Sequence, residues 1–325
     1  TPQVGSMKQG DLVLGWGMAS CSWLALRLPA EATVTLHADG SARVVCATQD
    51  LGTGTYTVLA QLVSAETGIP LARIDVRLGD TVLPPGPFSG GSGATASVIP
   101  AVLQATREAV RAVIGVSTRK GGVWADRADG LSCRDGAIGP SKGADAYVPL
   151  QDVLRRAGVE SVSGRGKAGS GNDLKKRYSI NSYGAHFAEV TWHPATARLR
   201  VSRVVTVIDG GRIVNPRTGR NQIEGAVIMG VGMALFEQTE YDARSGAPVN
   251  SNLADYVMTT HADAPELDVT FLDYPDLIWN ELGSRGIGEI GLAGIAAAIT
   301  NAVHHATGVR VRDLPVKIED LLEKR

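Results

Sequence analysis

The sequence predicts an α+β fold built as two similar mixed sheet/helix lobes, and three observations predict it. Runs of alternating apolar and polar residues come in pairs around short turns, the mark of half-buried antiparallel strands. Glycine- and serine-rich loops repeatedly open into helical runs. Between these regions lies Ser161-Val-Ser-Gly-Arg-Gly-Lys-Ala-Gly-Ser-Gly-Asn-Asp-Leu-Lys-Lys-Arg177, the most polar and basic low-complexity stretch. Its composition reads as a mobile basic loop at 161–180, which divides a first lobe (1–160) from a second (181–325).

At 325 residues and 44% hydrophobic, the chain can bury a sizeable core. Lys+Arg 32 against Asp+Glu 33 gives a formal charge of -1, which argues against a nucleic-acid or membrane-surface footprint. No apolar run reaches the length of a bilayer span, and the N-terminus lacks a signal-peptide pattern. The expected compartment is the cytoplasm or periplasm, with the cytoplasm favoured. Cys21, Cys46 and Cys133 are scattered and read as small buried hydrophobes. His304-His305 read as cations near a helix C-terminus rather than metal ligands.

In order, 12–23 is small and apolar, and reads as a strand. Its Trp16, Met18 and Trp23 are expected in the core. Ala32–Ala38 and Ser41–Ala47 flank Asp39-Gly40, a hairpin signal. Asp50-Leu-Gly-Thr-Gly54 then opens a helix over 58–67, with a threonine cap expected. A strand at 71–78 precedes a proline-rich loop. Ser89-Gly-Gly-Ser-Gly93 opens a long helix running to about Val116, with Pro100 near its start. The stretch 121–140 is expected as a connection, and 148–156 as a short helix. Two strands follow at 182–192 and 199–208, with their turn at 193–197. Asn215 is an N-cap and Pro216 a first helical residue. Arg212, Arg217 and Arg220 cluster there, as a phosphate cradle would require. Gly225, Gly230 and Gly232 inside that helix predict close packing. A strand near 267–271 and a C-terminal amphipathic helix over 315–325 complete the chain.

The densest signal is Gly283-Ser-Arg-Gly-Ile-Gly-Glu-Ile-Gly-Leu-Ala-Gly294, followed by a small apolar helix. A glycine-rich loop opening a helix is a natural anion site. Glu289 sits in it, either as a charge the loop stabilises or as a base beside a ligand. Gly286-Ile-Gly-Glu-Ile-Gly291 also matches G-x-G-x-x-G. The flanks differ from a dinucleotide fold, lacking a preceding Val/Ile-rich strand and a well-placed acid.

Taken together, Asp50-Leu-Gly-Thr-Gly54, Gly90-Gly-Ser-Gly93, Gln222-Ile-Glu-Gly225 and Gly286-Ile-Gly-Glu289 form an ordered set. The set resembles the C-terminal portion of the molybdenum-cofactor-binding subunit of the xanthine dehydrogenase / aldehyde oxidase family, closest to its bacterial aldehyde oxidoreductase branch. The resemblance implies the C-terminal molybdenum-binding domain of a molybdenum hydroxylase, an oxidoreductase acting on aldehydes or N-heterocycles. It makes Glu289 the catalytic base. It places Leu51, Gly52, Thr53, Gly91, Ser92, Gln222, Arg285, Gly286, Ile287 and Gly288 at the cofactor, and Arg212, Asn215, Arg217 and Thr218 at its dinucleotide phosphates. Thr53 stands where the family often has glutamine.

The implied cofactor is molybdenum–molybdopterin cytosine dinucleotide, with the metal held by the pterin and not by side chains. The resemblance also implies an N-terminal molybdenum domain, a 2Fe-2S subunit and an FAD subunit as partners, and inactivity of the chain by itself. Two alternatives remain at this level: a catalytically idle binding or assembly module, and an NAD(P)-binding dehydrogenase.

Overall fold

A computed structural model describes residues 1–127, 130–142 and 147–322. In chain order the strands are β1 (Met7–Gln9), β2 (Leu12–Leu24), β3 (Ala30–His37), β4 (Ala42–Cys46), β5 (Ile74–Leu78), β6 (Leu131–Arg134), β7 (Ala137–Pro140), β8 (Val148–Pro149), β9 (Ser161–Ala168), β10 (Asn181–His193), β11 (Arg198–Asp209) and β12 (Glu266–Phe271). The helices are α1 (Thr55–Thr67), α2 (Ala94–Ser117), α3 (Leu150–Arg156), α4 (Asn172–Lys175), α5 (Pro216–Leu235), α6 (Ile295–Thr307) and α7 (Ile318–Leu321), with 3-10 turns at Leu71–Arg73 and Glu289–Gly291.

The chain forms two compact units whose boundaries differ from the contiguous lobes expected. Residues 1–24 join 181–274 and 287–325 in one unit, and 275–286 join 25–180 in the other. Strand pairing is the reason, because β2 lies antiparallel to β10 across a long stretch of sequence, with Leu14 opposite Thr191.

The first unit is a five-stranded sheet in the order β1-β2-β10-β11-β12, antiparallel except for β11 and β12. Helices α5 and α6 supply its core through Ile223, Val227, Ile295, Ile299 and Val303, against Val190, Val204 and Ile208 of the strands. Helix α6 presents Ala298, Ala302 and Ala306 in one row. Gly15 and Gly17 of β2 lie beneath that row, where a Cβ would run into the carbonyls of Ala302 and Ala298. Trp16 and Met18 alternate with these glycines and so point to the other face, 59% and 50% exposed rather than in the core.

The second unit holds a four-stranded sheet, β5-β4-β3-β9, and a small sheet, β6-β7-β8. Strands β3 and β4 form the expected hairpin, while β4 and β5 run parallel. The basic stretch is not a loop over 161–168. It is strand β9, paired along its length with β3. Ser, Arg and Lys face out, and Gly164, Gly166 and Ala168 face in. Those glycines admit α2, since a Cβ on either would run into the carbonyl of Ala105 or Ala101. A satellite core lies around Trp279, with Ala25 and Ile180. The Arg27 guanidinium sits 5.0 Å from the Trp279 ring centre.

Other expectations shift locally. The stretch 121–140 contains the β6–β7 hairpin, and 71–73 is a 3-10 turn before β5. Pro100 lies inside α2 near its start, as expected. Only Ile318–Leu321 of the C-terminal helix forms, and 323–325 lie outside the described residues. Of the α5 glycines, Gly230 meets Ile295, whereas Gly225 faces open space. His305 takes a hydrogen bond from the Trp16 backbone N–H at 2.9 Å, so it ties α6 to β2. No described helix is long and apolar enough to cross a membrane.

Candidate cofactor-binding site

The residues singled out in the sequence fall into two groups, one on each unit. In the second unit the organiser of the first glycine loop is Asp50, not a threonine. Its carboxylate accepts hydrogen bonds from the backbone N–H groups of Gly52 (2.8 Å), Gly54 (3.3 Å) and Tyr56 (3.2 Å). Burial alone raises this carboxyl. The N–H donors of Tyr56, Gly54, Gly52 and Thr53 outweigh it and hold the group below its ordinary range. Leu51 and Gly52 are thereby presented outward, and Gly52 and Gly54 take positive φ of 89° and 84°.

This loop is fastened to the next by Gln49. Its Oε1 accepts from the Ser89 N–H at 2.9 Å, and the Ser89 hydroxyl donates to the Gln49 carbonyl at 2.5 Å. Gly91 and Ser92 follow at φ 61° and 58°. Ser92 is a rare non-glycine residue in the left-handed region. Gly286 packs directly on it, because a Cβ there would overlap the Ser92 carbonyl. Three separated sequence pieces, 50–54, 89–93 and 285–286, thus meet. Arg285 pairs with Asp276 at 3.0 Å in a nearly buried position, so its charge is engaged inside the unit.

In the first unit the pieces also converge. Asn215 caps α5 through the Thr218 N–H at 3.3 Å, with Pro216 in the opening turn. Arg212 and Arg217 flank the cap and are exposed. Among the described residues neither pairs with a carboxylate, whereas Arg220 pairs with Glu224 at 2.7 Å. Ile287 packs against Gly210 and Gly219, on either side of this arginine segment. The Glu289–Gly291 turn then lands on α5. A Cβ on Gly291 would sit 2.8 Å from Ala226 Cβ and 3.2 Å from Ile223 Cα, the residue after Gln222. Glu289 and Gln222, both half-buried, therefore rise from packed neighbours.

The donor set of this unit suits an anionic, phosphate-bearing cofactor: two exposed guanidiniums at the capped start of a 20-residue helix, and one acid on a glycine turn. Among the described residues no group of three or more His, Cys, Asp or Glu is placed to hold a metal. The G-x-G-x-x-G match at 286–291 does not join a strand to a helix. It enters a 3-10 turn beside a mainly antiparallel sheet, which removes the context a nicotinamide fold needs.

Sequence reasoning missed Gln49 and Ser89, whose polar pairing left no periodic signal, and Asp50, which sits outside the helix it serves. It also passed over His186, a histidine on the buried face of β10 that also carries Ala188, Val190 and Trp192.

Comparison with known proteins accords with this geometry. Residues 2–265 match the model of the molybdopterin cofactor-binding domain. The chain is 35% identical over 328 residues to the aldehyde oxidoreductase molybdenum-binding subunit PaoC of Escherichia coli (strain K12), covering 98% of this chain and 42% of PaoC. It is 30% identical over 332 residues to the xanthine dehydrogenase molybdenum-binding subunit of Escherichia coli O157:H7, covering 98% and 43%. Both alignments extend past Glu289, whereas the match to the family model ends at residue 265. The chain thus spans less than half the length of these relatives. In fold it is similar to quinoline 2-oxidoreductase from Pseudomonas putida 86, with TM-score 0.80, 21% identity, and 95% of this chain and 41% of that one covered. The aldehyde oxidoreductase from Desulfovibrio gigas aligns with TM-score 0.71 and 25% identity, over 97% and 33%. The chain belongs to the molybdopterin cofactor-binding domain family, as represented in the molybdenum-binding subunits of xanthine dehydrogenases and aldehyde oxidoreductases.

Proposed function

We propose that this chain is the C-terminal part of the molybdenum-binding subunit of a molybdenum hydroxylase that oxidises aldehydes or N-heterocycles, with Glu289 as its base. The observation that carries the proposal is the seating of the Glu289 turn on α5, one residue from Gln222 and about two helical turns from the Asn215 cap. When bound, the molybdenum cofactor would supply the redox chemistry, the addition of water-derived oxygen to an electrophilic carbon with uptake of two electrons. The chain's own residues do the rest. Arg212 and Arg217, with the backbone around Asn215 and Thr218, hold the nucleotide phosphates. Gln222 orients polar atoms near the metal. Leu51, Gly52, Thr53, Gly91, Ser92, Arg285, Gly286, Ile287 and Gly288 shape the pterin contact. Glu289 takes a proton at its carboxylate, and its glycine-flanked turn lets a substrate approach closely.

The proposed cofactor is the cytosine dinucleotide form. An N-terminal molybdenum domain, a 2Fe-2S subunit and an FAD subunit complete the proposed assembly, and the chain alone does not turn over. Molybdenum and iron analysis of the assembled enzyme, with acid release of the nucleotide, tests this directly. Molybdenum with CMP is the expected result; a matured complex without molybdenum would leave only a binding module. Glu289→Gln is expected to lower kcat/KM by about 10²–10⁴-fold while molybdenum content stays constant. Wild-type turnover in that variant would remove the base.

A further inference from the structure

His186 lies in the middle of β10, opposite Ala19 of β2 and Thr206 of β11. It is 0% exposed, on the sheet face that meets Ile295, Ile299 and the other apolar residues of α5 and α6. An imidazole buried there is costly unless its nitrogens are met. Its Nδ1 is 2.9 Å from the Thr206 hydroxyl, which is itself fully buried. Its Nε2 is buried and makes no well-formed hydrogen bond. Burial pushes the imidazole below its ordinary value, and the backbone carbonyls of Ile290 and Ala293 pull the other way. Both belong to the turn that begins at Glu289. Gly294, which ends that turn at φ 91°, would place a Cβ 3.5 Å from His186 Cδ2. The ring therefore forms the floor of the Glu289 turn.

We infer that His186 is a positioning residue for Glu289: a neutral imidazole, held by Thr206 on one side, whose Nε2–H faces the Ile290 and Ala293 carbonyls and fixes the height of the turn. The tautomer follows from the neighbours. A threonine hydroxyl can donate to Nδ1, while carbonyls only accept and so require the proton on Nε2. A hydrocarbon of equal size would fill the space but leave both carbonyls facing an apolar surface, and the turn would be free to shift. Displacement of a catalytic group by about 1 Å can cost about 10²-fold in rate. The functional half of this inference rests on the reading of Glu289 as the base.

The test uses the complete cofactor-loaded enzyme carrying His186→Leu, His186→Gln or Glu289→Gln. Turnover is expressed per bound molybdenum, and hydrogen–deuterium exchange is followed in peptides spanning 283–294. His186→Leu is expected to lower kcat by about tenfold or more with KM nearly unchanged. It should also shift the acidic limb of the kcat/KM pH profile and speed exchange across the turn. His186→Gln, which restores an N–H donor, is expected to recover most of both. If His186→Leu leaves turnover, pH profile and exchange at wild-type values, the inference is overturned. The exchange readout separates the two ideas. Fully active Glu289→Gln removes the base, yet faster turn exchange in His186→Leu still establishes the brace. Should His186→Leu fail to load molybdenum, Thr206→Val, which removes only the hydroxyl on Nδ1, is read by the same criteria.

Discussion

In one unit Gly15 and Gly17 of β2 lie beneath Ala298, Ala302 and Ala306 of α6; in the other Gly164 and Gly166 of β9 lie beneath Ala101, Ala105 and Ala109 of α2. Both are Gly-x-Gly in a strand set against alanines four residues apart on a helix. The absence of Cβ atoms lets helix backbone rest on strand backbone. The difference lies in what each helix carries at its start. Helix α2 is entered from Ser92 and Gly93, a loop of small residues pressed on Gly286. Helix α6 is entered from the Glu289 turn through Gly294 in the left-handed conformation. The same packing device therefore fixes two loops of different chemistry, one passive and shaped for close approach, one bearing an acid.

The largest effects should come from breaking the device itself. Gly17→Val and Gly166→Val each force a branched side chain into helix backbone, at a cost of about 3 kcal/mol or more. Urea midpoints read this directly. Equal losses support one shared device, whereas tolerance of Gly166→Val alone would show that only α6 is held this tightly. Loop anchoring should matter less. Asp50→Ala removes a carboxylate that satisfies several backbone N–H groups and should cost about 2 kcal/mol. Asn215→Ala removes a single cap and should cost about 1 kcal/mol. Reversal of that order would mean that the α5 cap does more than satisfy Thr218.

The smallest effect is a difference in pH response. Burial pushes the His186 imidazole below its ordinary value, with the Ile290 and Ala293 carbonyls pulling the other way. The unfolded chain then binds the proton more readily, so this contribution is present above about pH 6.5 and is lost as pH falls below it. Cys21 on β2 lies with His186 against Gly294, and its thiol, which burial raises to about 11, stays neutral throughout. Asp50 is also held low. Its contribution persists to about pH 4 and is lost only as pH falls further. Between pH 7.5 and 5, amide protection should therefore fall around β10 and the Glu289 turn and hold at 50–56. His186→Leu should abolish the first change; a fall at 50–56 in the same window would contradict the assignment to Asp50.

Much of this arrangement was legible in the sequence. Asp39-Gly40 marked its hairpin, Asn215-Pro216 marked the start of α5, and the small apolar run after Gly294 marked α6. Strand β9 was hidden because its inward residues are glycine and alanine, which carry no apolar signal although they pack most closely. Trp16 and Met18 misled for the complementary reason. Large apolar residues alternating with glycine were read as core, when the glycines are what the helix covers. Asp50 acts from beyond the helix end, where cap rules based on the adjacent residue do not look.

The pairing of β2 with β10 also governs the order in which the molecule can be assembled. Leu14 finds Thr191 only after the whole of the other unit's main segment has been made. Contacts so distant in sequence carry a loop-closure cost and form late. Until then β2, with its glycines and exposed aromatic, is an unpaired edge open to wrong partners. Helix α6 has no floor before β2 is in place, and the turn carrying Glu289 has no reference before α6. Slow steps in refolding should therefore fall on the first unit, and the acid should be the last part of the molecule to reach its final position.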